Sequence, residues 1–321
     1  MPVIQKSTYQ RPKRLLHGHL ETIVPALFRK VNGNRAVKRI RVDTPDNDFL
    51  DLDWHYNEGD KAIILSHGLE GDSTRPYIQG MARQFYRNGW NVIAWNFRGC
   101  SGEMNRTEKF YHSGATYDLE TVVEYVIGKG ISQVAVLGFS LGGNMTLKYL
   151  GEGKVPKEVK AGMAISTPID LVGCSEELAK TKNYLYSKRF LKSLKQKVED
   201  KSQVIPELKR FGPVESIQTI YEFDDKITAP LNGFENALDY YQKCSSVNYV
   251  PSIEIPTLLV NAANDSFLSP SCYDSANFES SENVYLEIPK FGGHVGFSNY
   301  QHKGTYWSEL RAYEYISQII K

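Results

Sequence analysis

Val134 to Met145 reads VAVLGFSLGGNM. Four aliphatic or small residues, Val134 to Leu137, run straight into Gly138-Phe139-Ser140-Leu141-Gly142, and a short helical pattern carrying Met145, Leu147 and Leu150 follows. A single hydroxyl therefore stands between a buried strand and a cluster of glycines. A tight turn that happens to contain serine would satisfy this pattern. So would a nucleophile held on a strained strand-to-helix elbow. The elbow requires the glycines: it forces Ser140 into an unfavourable backbone conformation, and side chains two residues to either side would collide. The N–H of Leu141 would then point, with the helix N-terminus, at any developing oxyanion.

The flanking sequence has to decide. Ala62 to Leu65, Val92 to Trp95, Gly162 to Ile165 and Thr257 to Val260 are short apolar runs of the same kind, as expected for strands buried on both faces of a parallel sheet. Helical stripes separate them. The clearest is Leu119, Val122, Val123, Val126 and Ile127, with Asp118 as its expected cap; Trp307, Leu310, Tyr313, Ile316 and Ile320 form a closing one. Strands alternating with helices predict a mostly parallel, doubly wound α/β sheet. Val37 to Val42 and Phe49 to Tyr56 predict an antiparallel N-terminal hairpin, the second strand alternating Leu50, Leu52, Trp54 and Tyr56 with Asp51, Asp53 and His55.

The rhythm breaks between about Asp170 and Pro256, where helical patterns occur without a convincing strand. The expected organisation is a core of residues 1–169 and 251–321 with a helical cap or lid insertion at 170–250. Within it Leu191, Leu194 and Val198 share a face with Tyr184, opposite Lys182, Lys188, Arg189, Lys192, Lys195 and Lys197. An ordinary amphipathic helix with a solvated basic face accounts for this. The alternative is a basic lid helix that touches anionic lipid or steers a negatively charged substrate.

A serine hydroxyl needs a base. Of seven histidines, His294 lies in the Gly-rich stretch FGGHVGF after the apolar run Val284 to Ile288, where it can overhang the C-terminal edge of the sheet. His67 begins His67-Gly68-Leu69-Glu70-Gly71 after a strand; there the N–H of Leu69 would be a second oxyanion donor and His67 itself structural. His112 reads as a pocket residue or a satisfied loop histidine, and His55 and His302 as surface residues. His17-Gly18-His19 has no accompanying ligand spacing, so neither zinc nor another metal is expected. The base in turn needs a carboxylate. Asp265 follows the Thr257 to Asn261 strand directly. Asp170 is its better rival, and Asp224 and Asp225 lie inside the insertion. Ser140, Asp265 and His294, in that chain order and each at a strand end, predict a nucleophile–acid–base set.

Bulk composition excludes several classes. Lys plus Arg (38) balances Asp plus Glu (37), so no overall field favours nucleic acid. No run of about 18 apolar residues predicts a transmembrane helix, and the N-terminus has no apolar core of a signal peptide. The four cysteines, Cys100, Cys174, Cys244 and Cys272, form no CxxC pair and suit reduced thiols in a cytoplasmic protein. Gly151-Glu152-Gly153-Lys154 lacks the spacing and the following hydroxyl of a P-loop.

Longer strings carry a resemblance: HGHLETI from His17, HGLEGDSTRPYI from His67, WNFRGCSGEMNR from Trp95, YHSGATYDL from Tyr111, GFSLGGN from Gly138 and ITAPLNGF from Ile227. Together they resemble the α/β-hydrolase superfamily in its YheT-like (embryogenesis-associated) branch. That branch commonly carries Asp-Asp-Pro-Phe near the acid, where this chain has Asn264-Asp265-Ser266-Phe267. The resemblance implies an α/β-hydrolase fold and serine esterase or lipase-like activity on a small-molecule ester, without a cofactor. Transfer of the acyl group to an alcohol, and a catalytically silent binding scaffold, are the two alternatives.

Overall fold

The computed structural model describes residues 3–4, 6–31, 37–153, 155–298 and 304–321. The apolar runs form β4 (Lys61–Ser66), β5 (Asn91–Asn96), β6 (Gln133–Phe139), β7 (Val159–Ile165), β8 (Thr257–Val260) and β9 (Val284–Glu287). These pair in parallel, and β1 (Val3–Ile4) joins β9 in the same sense. The hairpin of β2 (Val37–Asp43) and β3 (Phe49–His55) adds antiparallel to β5. The result is one nine-stranded sheet ordered β1-β9-β8-β7-β6-β4-β5-β3-β2.

Continuous apolar runs are required because both sheet faces are covered. Ile64 and Val136 face a cluster with Val122 and Val123 of α3 (Thr116–Gly128) and Met145 of α4 (Leu141–Gly151). Their neighbours Ile63, Leu65, Ala135 and Leu137 face the other way, against Met81 and Phe85 of α2 (Pro76–Tyr86) and Ile316 of α10 (Trp307–Ile319). α1 (Gly18–Phe28) lies near the C-terminal edge of the sheet, against the loops after β8 and β9. Between β7 and β8 the described residues contain helices and no strand: α5 (Leu171–Ala179), α6 (Tyr184–Val204), α7 (Ile220–Phe223), a π turn at Asp224–Thr228, α8 (Ala229–Leu231) and α9 (Ala237–Cys244). Their side chains form a separate apolar cluster around Leu194, Val198 and Phe223.

In β3, Asp51 and Asp53 sit directly across from Arg41 and Arg39 on β2, which bind them at 2.8 and 2.7 Å and cover that face. Three expectations need correction. His55, expected on the surface, is 1% exposed, with its ring beside Tyr86, and burial pushes its imidazole towards the neutral form. His302 lies outside the described residues. Asp118 does not cap α3. Ala115 holds the cap position, and the Asp118 carboxylate instead binds Arg98. Finally, Lys197, expected on the solvated basic face of α6, is largely buried, while Tyr184, in line with Leu191 two turns on, is 57% exposed because it stands at the start of the helix.

Arg98, from the WNFRGC string, is buried and gathers Asp118 at 2.7 Å, Asp46 at 2.8 Å and Asp48 at 3.1 Å. It ties the β2–β3 turn to α3 beneath the loop that follows β5. Removing the cation leaves buried carboxylates uncompensated. Arg98→Met is expected to cost about 3–5 kcal/mol, read as a lower midpoint in urea unfolding with an unchanged slope.

Candidate active site

The loops after β4, β6, β8 and β9 converge at the C-terminal edge of the sheet, where ligand sites of open α/β folds lie. Ser140 follows β6 with φ 53° and ψ −121°, a left-handed conformation that costs a residue with a side chain roughly 1–3 kcal/mol. The glycines make it possible. A Cβ at Gly138 would lie 2.1 Å from the Gly142 carbonyl oxygen, and one at Gly142 would lie 2.3 Å from the His67 carbonyl oxygen. The turn is thus packed to the backbone on both sides.

Ser140, His294 and Asp265 are brought together. His294 Nε2 is 2.9 Å from Ser140 Oγ, and Nδ1 is 2.8 Å from Asp265 Oδ2. Asp265 Oδ1 also accepts the Phe267 N–H at 3.0 Å. A carboxylate at Nδ1 holds the proton there and leaves Nε2 free to accept from the hydroxyl. Phe267 stacks on the imidazole at 4.2 Å and 27°. Its ring fixes the imidazole plane, a contact that periodicity in the sequence could not reveal.

The His294 loop is held from the N-terminal region. Thr22 Oγ1 of α1 accepts the His294 N–H at 2.8 Å, and Ser166 Oγ accepts the Val295 N–H at 2.8 Å. Asn264 Oδ1 accepts the Gly293 N–H, while Asn264 Nδ2 donates to the buried Glu21 carboxylate at 2.6 Å. Gly18 approaches so closely that a Cβ there would lie 2.4 Å from the Asn264 carbonyl oxygen. The HGHLETI string is therefore the buttress of the acid and histidine loops. His17 Nδ1 caps α1 by accepting the His19 N–H, and the His19 ring lies against Tyr186. Among the described residues no group of three or more His, Cys, Asp or Glu is arranged to hold a metal.

His67 is structural. Its Nδ1 donates to the Gly68 carbonyl at 2.8 Å and its Nε2 accepts the Phe97 N–H at 3.1 Å, so burial keeps it neutral, pushed down to about 4. Leu69 and Leu141 line the same cleft as Ser140. Leu141 is the first residue of α4, so its N–H has no intrahelical acceptor.

The rival carboxylates lie elsewhere. Asp170 caps α5 and accepts from Ser271 Oγ at 2.6 Å; Asp225 accepts the Ala237 N–H at 3.0 Å. Asp224 sits in the wall of the cleft, with Thr228 Oγ1 donating at 2.6 Å and Tyr241 OH at 2.7 Å. His112 is buried in the same wall, where desolvation pushes it down to about 3. The cleft has a volume of about 910 Å³ counting the part open to solvent, and its lining is mainly apolar, with Leu171, Leu178, Leu194, Val198, Ile220 and Phe223 facing it. All four cysteines are free; Cys174 and Cys272 approach to 3.4 Å between sulfurs without a bond.

Residues 61–299 match the family model of the alpha/beta hydrolase fold. The YheT protein of Escherichia coli (strain K12) is 34% identical over 290 residues, covering 87% of this chain and 84% of that one. Phospholipase ABHD3 of Mus musculus is 29% identical over 315 residues, covering 92% and 74%. Among solved structures, the Pyrococcus furiosus esterase Pf2001 superposes with a TM-score of 0.59 at 19% identity, over 91% of this chain and 99% of that one. The chain belongs to the α/β-hydrolase family. Within it, its place is the YheT-like branch.

Asp224 supplies a test of the cleft's electrostatics. Burial raises its carboxyl from 3.8 to about 6, so the folded state holds that proton more tightly than the unfolded chain and stability falls as pH rises through this interval. Asp224→Asn removes the penalty. Its melting temperature should exceed that of the parent near about pH 8, and the gap should close towards about pH 4.

Proposed function

We propose that this enzyme, a carboxylic ester hydrolase, works through an acyl-enzyme on Ser140. The observation that carries this is the unbroken hydrogen-bonded line from Asp265 through His294 to a serine held at positive φ in the cleft lining. Ser140 Oγ attacks the ester carbonyl while His294 Nε2 takes its proton. The carbonyl oxygen becomes an oxyanion that accepts from the N–H groups of Leu69 and Leu141, each worth about 3 kcal/mol in comparable sites. His294 then returns the proton to the departing alkoxide. Water, deprotonated by the same nitrogen, releases the acid and restores Ser140. Asp265 stabilises the imidazolium and keeps its tautomer without taking the proton. These steps are carried by protein groups alone.

Residues 170–250 serve as the cap in this proposal, and the apolar cleft beneath them takes the acyl chain of a short- to medium-chain or lipid-like ester. Hydrolysis of p-nitrophenyl esters from acetate to palmitate tests it. Ser140→Ala should lower kcat by at least about 10³-fold at every chain length and abolish fluorophosphonate labelling. A mutant as active as the parent would overturn the assignment. Ethyl ester formed on adding ethanol would instead mark the enzyme as an acyl transferase.

The cap also offers a surface for lipid contact. Leu185, 75% exposed, shares the outer face of α6 with Lys188, Arg189 and Lys192. Exposed Leu20 belongs to α1, whose His19 ring meets Tyr186, and Tyr186 packs on Phe267, which covers His294. An apolar tip with a basic collar thus lies beside the site. Reversing Lys188, Arg189 and Lys192 to Glu should release the protein from vesicles containing phosphatidylserine while activity on soluble acetate esters is kept. Equal co-sedimentation of both proteins would remove the cap from this role.

A further inference from the structure

One buried ion pair joins the cap to the turn that carries Leu69. Lys197 of α6 reaches Glu70 at 2.6 Å, with both side chains largely withdrawn from water. The same carboxylate accepts from Tyr111 OH at 2.6 Å and from Ser193 Oγ of α6 at 2.5 Å. Tyr111 OH also accepts the Glu70 N–H at 2.9 Å, and Arg75 donates to the Glu70 carbonyl at 2.7 Å. Glu70 is therefore held at its side chain and at both backbone polar groups. Its φ is 52°, left-handed for a residue that is not glycine.

What this restraint positions is the peptide before it. A trans peptide places N–H and C=O on opposite sides. The Gly68 carbonyl is fixed by two donors, the Gly71 N–H at 3.0 Å and His67 Nδ1 at 2.8 Å, so the Leu69 N–H of that peptide must point the other way. The strand side of the turn lies against the nucleophile: a Cβ at Gly68 would be 3.1 Å from Ser140 Cβ. His67 secures one end of the Gly68–Leu69 unit and Glu70 secures the other. The His67 end belongs to the core. The Glu70 end depends on α6.

We propose that the Glu70–Lys197 pair is a positioning device through which the docked cap completes the oxyanion hole. This rests on the acyl-enzyme reading above. A cap fastened only for its own packing would be held as well by apolar contacts, because a buried ion pair pays a desolvation penalty that an apolar replacement avoids. Nor would such a fastening need a strained residue directly after Leu69. Lys197 lines the cleft, yet its Nζ also meets Cys100 Sγ at 3.1 Å and lies 4.9 Å from the Tyr111 ring, so its charge already has partners within the protein. Opening of the cap would unhook the turn, and an uncapped site would lack its second oxyanion donor.

The test is kinetic, on the full chain, with Glu70→Gln, Lys197→Met, Lys197→Arg and the double Glu70→Gln/Lys197→Met. The first two should lower kcat by roughly 10- to 100-fold with KM changed by less than about threefold, the signature of an interaction made only in the transition state. The loss should be as large on p-nitrophenyl acetate, whose acyl group is too small to need the cap, as on longer esters. Lys197→Arg should restore most of kcat, and the double variant should be no worse than either single one. A folded Glu70→Gln that keeps kcat, or that loses activity only as KM on long chains, would make the pair a cap fastener and overturn the proposal. Fluorophosphonate labelling separates the two levels: an unlabelled parent defeats the acyl-enzyme reading itself. A labelled parent matched in rate by Glu70→Gln defeats only the positioning role.

Discussion

The left-handed backbone at Ser140 is the constraint on which the site depends. It can exist only where β6, α4 and the turn after β4 approach to backbone contact, so Gly138 and Gly142 are bare because there is no room for a Cβ, and Gly68 lies closely against Ser140. The strain is opposed by the surrounding sheet, whose strands bury apolar residues on both faces and give the turn a rigid base. From that one geometry follow the exposure of the hydroxyl to the cleft, the free N–H at the start of α4, and the place where an imidazole must sit to meet it.

The imidazole is a harder problem than the serine, because it rides on a loop. Here the loop is bound by hydroxyls and an amide from three separate regions: Thr22, Ser166 and Asn264. Phe267 then clamps the ring face. A rigid scaffold thus extends its order into a segment that has no regular structure of its own, which is what the role proposed for His294 requires.

The sheet and the three converging side chains were legible because each leaves a local signal: an apolar run, a glycine-flanked serine, a carboxylate or histidine just past a strand end. What was not legible is what depends on partners far away in sequence. Alternation along β3 shows the polarity of Asp51 and Asp53 but not the cross-strand arginines that cover them. His55 read as a surface residue because the same pattern does not show that its ring is buried beside Tyr86. Lys197 was grouped with the basic residues of its helix, although it turns inwards to Glu70, 127 positions away. Asp118 fitted a cap by position, but the buried guanidinium of Arg98 outcompeted the helix end for its carboxylate. Long strings such as HGHLETI mark that a segment matters; only the packing of α1 on the loops of Asn264 and His294 says why.

That packing has a consequence for biosynthesis. The hydroxyl of Thr22 holds the backbone of His294 across 272 residues of chain. A nascent polypeptide emerging from the ribosome can assemble the hairpin and the central strands early, yet the early helix must wait with its loop-facing side unmatched until the last strand and the histidine loop appear. The serine is therefore made 154 positions ahead of the histidine it meets, and their contact waits until two distant parts of the chain are joined.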